Sequence, residues 1–282
     1  MSEDEIMILI NERNEWLASK LVTSESDMMF AGVVVGNNPG EVWVDDALNP
    51  SSALVWSSGL GCFTFMGNAN NRAFNQSLAK LIEDEVIPFL KKKDTSYFEF
   101  SVDSEDWYST IYQHIGNRKI DESYQYVYKS IISQHSQVSY DDKIGSFKVV
   151  EIDEALMLEL DKREINNADF LVNYIKQYWG TVSNYIGKGY GYAALTESNE
   201  VASIAVSSAK FQSTHTIGVE TLESYRKQGL SSGLVTRLLQ TFRDHHIDAW
   251  WDCMDSNLAS QKTAEKAGLK QAHRYKISWF HF

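Results

Sequence analysis

The chain has 282 residues, 43% of them hydrophobic and 23% charged, a balance that fits one large globular domain or two of ordinary size and excludes a disordered chain. Thirty-eight acids against 26 bases leave a net charge of −12, which repels phosphate backbones and anionic lipid, so neither nucleic acid nor a membrane is expected as a partner; a cationic small molecule suits this field better. Two distant cysteines, Cys62 and Cys253, exclude a disulfide framework and lack the spacing of a zinc site, so no metal is expected.

The opening MSEDEIMILINERNEWL places acids before a short apolar run that charge interrupts at once, which is neither a secretory signal nor a membrane span, and the expected compartment is the cytoplasm. Ile6, Leu9, Ile10, Trp16, Leu17 and Leu21 fall near helical spacing and predict an opening amphipathic helix. Short β-like runs follow at 31–35, 42–45, 53–56 and 62–66. A turn-rich stretch, Gly67 to Asn71, leads into a long helical pattern with Phe74, Leu78, Leu81, Ile82, Val86 and Phe89 as its apolar positions. Residues 97–102 read as a strand, 106–115 as a helix stopped by Gly116, and 124–132 as another strand. The polar run QHSQVSYDDKIG, 134–145, is the expected domain boundary, dividing the chain into residues 1–140 and 146–282. Beyond it the pattern predicts a strand at 147–152, helix over most of 154–178, strands at 191–195, 201–208 and 215–221, and a helix at 229–245. A strand at 249–253, a helix at 257–267 and one or two closing strands complete a mixed α/β domain. His215, His245 and His246 read as ordinary surface or strand-edge residues.

The chemistry is concentrated in VETLESYRKQGLSSGL, Val219 to Leu234. A strand ends near Thr221, an acidic loop follows, and Arg226-Lys227-Gln228-Gly229-Leu230-Ser231-Ser232 opens a helix. A helix opening presents unpaired N–H groups and the positive end of the macrodipole, and a glycine turn lets those groups converge on phosphate. Arg226 and Lys227 add charge, and Ser231 and Ser232 offer hydroxyls. Asn257 either caps the last helix or touches a ligand, and the two roles are compatible.

This stretch resembles the R/Q-x-x-G-x-G/A signature of the GNAT acetyltransferase superfamily, with Ser231 where the signature has Gly or Ala. Downstream, WWDCMDSNLASQKTAEKAGL, Trp250 to Leu269, is similar to the family's fifth strand, asparagine and closing helix, with Asn257 and Gly268 at the matching positions. The combination resembles a bacterial two-domain subgroup of the family. The resemblance implies an acetyl-coenzyme A-dependent N-acetyltransferase. Arg226 to Ser232, with Val219 and Thr221 at the strand end and Asn257 beyond, would bind the cosubstrate, and a backbone N–H near Val219–Thr221 would polarise the thioester carbonyl. Ala264 stands where many members carry a tyrosine that protonates the leaving thiolate.

An amine nucleophile must lose a proton, and Glu220 and Asp252, at the ends of neighbouring strands, are the candidate bases. The alternative is a coenzyme A-binding sensor or scaffold without catalysis, to which the missing tyrosine points. The first half lacks the cofactor loop but repeats the element order. Forty-nine positions separate Gly67 from Gly116 and 47 separate Thr221 from Gly268, so residues 1–140 read as a degenerate copy of the same fold.

Overall fold

The computed structural model describes residues 7–116, 118–130, 143–162 and 165–282. The chain forms two compact units, one comprising residues 1–125 with the C-terminal Tyr275–Phe282, the other Tyr126–Arg274. Most of the polar run expected at the boundary lies outside the described residues.

The first unit begins with β1 (Ile8–Leu9), α1 (Glu15–Leu21) and α2 (Met28–Val34). It continues through β2 (Gly40–Val44), β3 (Ser52–Ser57), β4 (Phe63–Gly67) and α3 (Arg72–Leu81). A π turn over Ile82–Val86 joins α3 to α4 (Ile87–Lys91), whose Pro88 has no N–H to give to a regular ladder. Then come β5 (Tyr97–Val102), α5 (Asp106–His114) and β6 (Asp121–Lys129), the last crossing into the second unit.

Two expectations for this stretch are corrected. The opening helix is confined to α1, because Asn14 is extended and its side chain accepts the Leu17 N–H, while Ile8 and Leu9 pair with Val44 and Trp43 instead. The run at 31–35 is helical, not a strand. Asp27 caps α2 by accepting the Met29 N–H, and Met29 through Val34 are all buried, so no polar face marks the helical period.

In the second unit β7 (Lys143–Ile144), β8 (Phe147–Glu151), α6 (Glu154–Asp161), α7 (Ala168–Trp179) and α8 (Val182–Ile186) precede β9 (Gly191–Leu195). β10 (Val201–Phe211), β11 (Thr214–Thr221), α9 (Leu230–Asp244), β12 (Asp248–Met254), α10 (Leu258–Lys266) and β13 (Lys270–His281) follow.

The two units repeat one order. β2, β3 and β4 form antiparallel neighbours, and β5 returns parallel to β4 after a helical crossover. β9, β10 and β11 do the same, with β12 parallel to β11 after α9. The first unit's sheet gains the end of β13, which runs antiparallel to β5 with Ser278 opposite Phe100. In the second unit Ser130, just past β6, bonds the backbone of Ala249 in β12.

Alternation assigns the faces of the second sheet. Ala205, Ile217, Ala249, Trp251 and Cys253 pack in one core with Leu230, Leu234 and Leu238 of α9. Ile204, Val206 and Ala193 pack in the other with Leu171, Ile175 and Trp179 of α7.

Candidate active site

The centre of the second sheet is where its ladder gives way. β11 stays paired with β10 to its end, Thr221 lying opposite Ser203. Its parallel ladder with β12 covers only Thr214–Thr216 against Asp248–Trp250, although both strands run on, to Thr221 and Met254. A register shift between Ser207 and Ala209 of β10 marks a bulge opposite this point, a device that sharpens local twist. Strand N–H groups alternate in direction, so part of those from Ile217 to Thr221 face away from β10, where β12 no longer takes them.

Strand parity then places the two candidate bases. Ile217 and Val219 belong to the α9 side, so Gly218 and Glu220 turn to the α7 side. Trp251 and Cys253 belong to the α9 side, so Asp252 also turns to the α7 side. Glu220 and Asp252 thus share a face, and both act electrostatically on Tyr178 of α7. Tyr174, one turn earlier, has its ring centroid 5.2 Å from that of Tyr178, and the two phenols are hydrogen-bonded. Burial comes first in raising the pKa of both above the ordinary tyrosine value; for Tyr174 its neighbour Tyr178 and then Glu220 add to it, and for Tyr178 the charges of Asp252 and Glu220 add to it against the bond from Tyr174, so both remain protonated at neutral pH.

The expected cofactor loop leaves the end of β11. After a 3₁₀ turn at Glu223–Tyr225, Arg226 is extended, Lys227 adopts a left-handed φ of 65° and Gly229 one of 81°. Residues 226–229 are exposed. Asn or Asp side chains cap α1, α3, α6 and α10, but α9 starts at Gly229 with no side-chain cap. The starts of α5 and α7 also lack a side-chain cap, but α9 begins at the exposed glycine that ends this loop, and first-turn N–H groups without a side-chain acceptor there fit a helix start that takes a phosphate oxygen.

A chain of hydroxyls locks this helix start to the strand. Ser203 Oγ donates to the Glu220 carbonyl at 3.1 Å, so Thr221 donates to Ser203 at 2.6 Å and Ser231 to Thr221 at 2.8 Å. Ser232 donates to the Gly229 carbonyl at 3.0 Å. Both serine hydroxyls are therefore engaged within the loop. Arg226 turns back, its Nε 3.1 Å from the Thr221 carbonyl and a terminal nitrogen 3.4 Å from Glu220 Oε1. That ion pair is exposed and weakly held, so an anion arriving at the loop can compete for the guanidinium. Gln228 and Lys227 are exposed, and Leu230 is buried in the α9 core.

Asn257 is the N-cap of α10, its side chain accepting the Ser260 N–H at 3.1 Å. Ala264 is fully buried and offers no hydroxyl. His215 is a correction. It lies 1% exposed within β11, its Nδ1 3.0 Å from Ser207 Oγ, and burial, with Lys210 adding, pushes its pKa down to about 3. It is a neutral core residue rather than a surface one, while His245 and His246 are exposed.

The matching position of the first unit is built differently. Four residues, 68–71, connect β4 to α3, against the eight, 222–229, that connect β11 to α9. The Asp103 carboxylate closes this strand end, accepting the Gly67 N–H at 2.8 Å and the Trp107 indole N–H at 3.1 Å. Among the described residues no group of three His, Cys, Asp or Glu side chains is arranged to hold a metal ion, and no helix is long and apolar enough to cross a membrane.

Comparison with known proteins bears on this arrangement. The GNAT acetyltransferase family model matches residues 19–278. The chain belongs to the GNAT acetyltransferase family. It is 26% identical over 242 residues to the uncharacterized N-acetyltransferase YdfB of Bacillus subtilis (strain 168), covering 85% of each chain. A GCN5-related N-acetyltransferase-like protein from Streptococcus suis is 22% identical, with a TM-score of 0.56 over 86% of this chain and 88% of that one. A tandem GNAT protein from the clavulanic acid biosynthesis pathway is 10% identical, with a TM-score of 0.60 over 98% of both chains. At these identities the structural likeness speaks for the fold, and it extends through both units of this GNAT chain.

Tyr174 and Tyr178 were not among the residues expected at the site. Their i, i+4 spacing in DFLVNYIKQYW was the available signal, but in an amphipathic helix that spacing also describes a core stripe.

Proposed function

We propose that this GNAT protein transfers an acetyl group from acetyl-coenzyme A to the primary amine of a small cationic acceptor. The reading is carried by one observation: the β11–β12 ladder stops at Thr216–Trp250, ahead of Glu220 and Asp252 on one face, in a strand that leads through an eight-residue loop to a helix start with no side-chain cap. The loop Arg226–Ser232, with Val219 and Thr221 beside it, holds the pyrophosphate, and Arg226 exchanges Glu220 for phosphate. Asn257 serves its helix and need not touch the ligand. Acetyl-coenzyme A supplies the activated acyl carbon. A backbone N–H of Ile217–Thr221 that faces away from β10 donates to the carbonyl oxygen as charge develops there. Asp252 or Glu220, directly or through water, takes the proton released by the attacking amine. With Ala264 at the position of the usual tyrosine, the departing sulfur takes its proton from water or from another hydroxyl.

The first unit, with its short β4–α3 connection and the Asp103 carboxylate at the strand end, binds no coenzyme A. One cosubstrate per chain is expected, and calorimetry returning two would refute this clause.

The second reading is a coenzyme A-binding module without turnover, favoured by the buried Ala264. Thiol release from acetyl-coenzyme A across a panel of amines separates the two: binding without release for any amine would establish the module and sink the enzyme.

A further inference from the structure

We propose that Tyr174 and Tyr178 are acceptor-side specificity residues of this transfer, holding an alkylammonium acceptor with no carboxylate near its amine, a di- or polyamine rather than an amino acid. The proposal rests on the transferase reading above and adds the acceptor class to it. Both tyrosines come from α7, which packs on the sheet face to which Gly218, Glu220 and Asp252 turn. Tyr174 reaches into the part of β11 beyond its last rung with β12. A Cβ added to Gly218 would lie only 2.8 Å from the Tyr174 hydroxyl and 3.2 Å from Ser208 Cβ, so the absent side chain is what seats this phenol against the strand. Tyr178 stands beside it, 5.2 Å between ring centroids, half-buried and within electrostatic reach of both carboxylates.

Two aromatic rings and two carboxylates on one face attract a cation by two mechanisms, ring quadrupole and Coulomb field. The same carboxylates repel an acceptor that carries its own carboxylate. A matched pair of probes isolates that difference: 1,4-diaminobutane and 4-aminobutanoate have the same reacting end and differ in the charge of the other.

Calorimetric titration of each probe into the full chain with coenzyme A present reads acceptor binding independently of turnover. Diaminobutane is expected to bind at least ~10-fold more tightly than aminobutanoate. Tyr178→Leu should weaken diaminobutane by about 10-fold, the scale of a partly desolvated cation–π contact, and Tyr178→Phe should restore most of it. Gly218→Ala, which displaces the Tyr174 hydroxyl, should weaken diaminobutane likewise. Coenzyme A affinity should hold in both Tyr178 variants, as a general loss of packing would not allow. Equal binding of the two probes, no binding of diaminobutane, or Tyr178→Leu indistinguishable from wild type would overturn the proposal. Thiol release is measured separately. Probe binding as expected with no release in any amine would sink the transferase reading and leave the acceptor site standing.

Discussion

Gly229 separates the demands of folding from those of binding. A Cβ there meets nothing within 4 Å, so a larger residue clashes with no part of the protein itself; the cost is confined to a φ of 81°. Forcing an L-residue into that region costs about 1–2 kcal/mol, which a chain of this size tolerates. A ligand whose phosphate approaches the first N–H groups of α9 would meet the new side chain directly. Gly229→Val is therefore expected to leave the fold intact while weakening coenzyme A by orders of magnitude. Equal calorimetric affinity for wild type and variant would remove the loop from the site. The carboxylates make the complementary prediction. Asp252→Asn or Glu220→Gln should lower kcat/KM by roughly 10²–10⁴, the usual worth of a general base, with coenzyme A affinity nearly unchanged. Full turnover in both single variants and in the double variant would mean that the amine arrives already deprotonated and that positioning does the work.

At the scale of elements, one connection distinguishes the two repeats. Eight residues between β11 and α9 make room for a left-handed glycine and a free helix start, whereas four between β4 and α3 bring Asn71 in as a cap. Asp103 then closes the first unit's strand end. Burial raises its pKa from 3.8 to about 6, against three hydrogen bonds that favour the anion, from Gly67, Trp107 and its own backbone. Between those values folding takes up a proton. The stability linked to this group is thus complete below about pH 4 and is lost as the pH rises through about 6, by at most roughly 3 kcal/mol. Denaturant unfolding from pH 4 to 7 should show this decline and Asp103→Asn should flatten it; identical profiles would contradict the assignment. Elements with their own local signals were legible in the sequence, β5 and β9 to the residue and α9 to its glycine start. α2 was not, because burial all round erases the helical period, and neither was β1, whose two residues owe their conformation to β2. The loop Arg226–Ser232 that is proposed to hold the cosubstrate could be named from the sequence because its residues are contiguous. The tyrosine pair was not, because only the packing of α7 on the sheet brings it to Gly218.

At the scale of the molecule, the path of the chain sets a dependence that no local pattern announces. The last eight residues follow α10 in sequence but finish the sheet of the first unit, where Phe280 is fully buried, stacks on Phe98 at 5.3 Å and lies under the Arg118 guanidinium at 4.8 Å. Lys276 anchors the same strand, its ammonium 2.7 Å from Glu122 and 3.9 Å from the centre of the Tyr108 ring, and the Tyr108 hydroxyl donates to the Lys276 carbonyl at 3.1 Å. Removing Phe280 opens a cavity among Phe98, Phe100 and Arg118, and a buried Phe→Ala change typically costs about 3–5 kcal/mol. Deleting Tyr275–Phe282 goes further. It strips β5 of its antiparallel partner and leaves an apolar strand with an open edge. Hydrogen exchange should therefore show Phe280→Ala and the truncation losing protection first in Tyr97–Val102, in the first unit, with the truncation also prone to associate. β10 and β11, whose partners all lie in the second unit, should keep their protection longer. Unchanged exchange in Tyr97–Val102 would mean that the C-terminal strand adds little to that sheet. Simultaneous loss in both units would instead mean that they unfold as one cooperative body, and the closing strand would then stabilise the second unit as much as the one it pairs with.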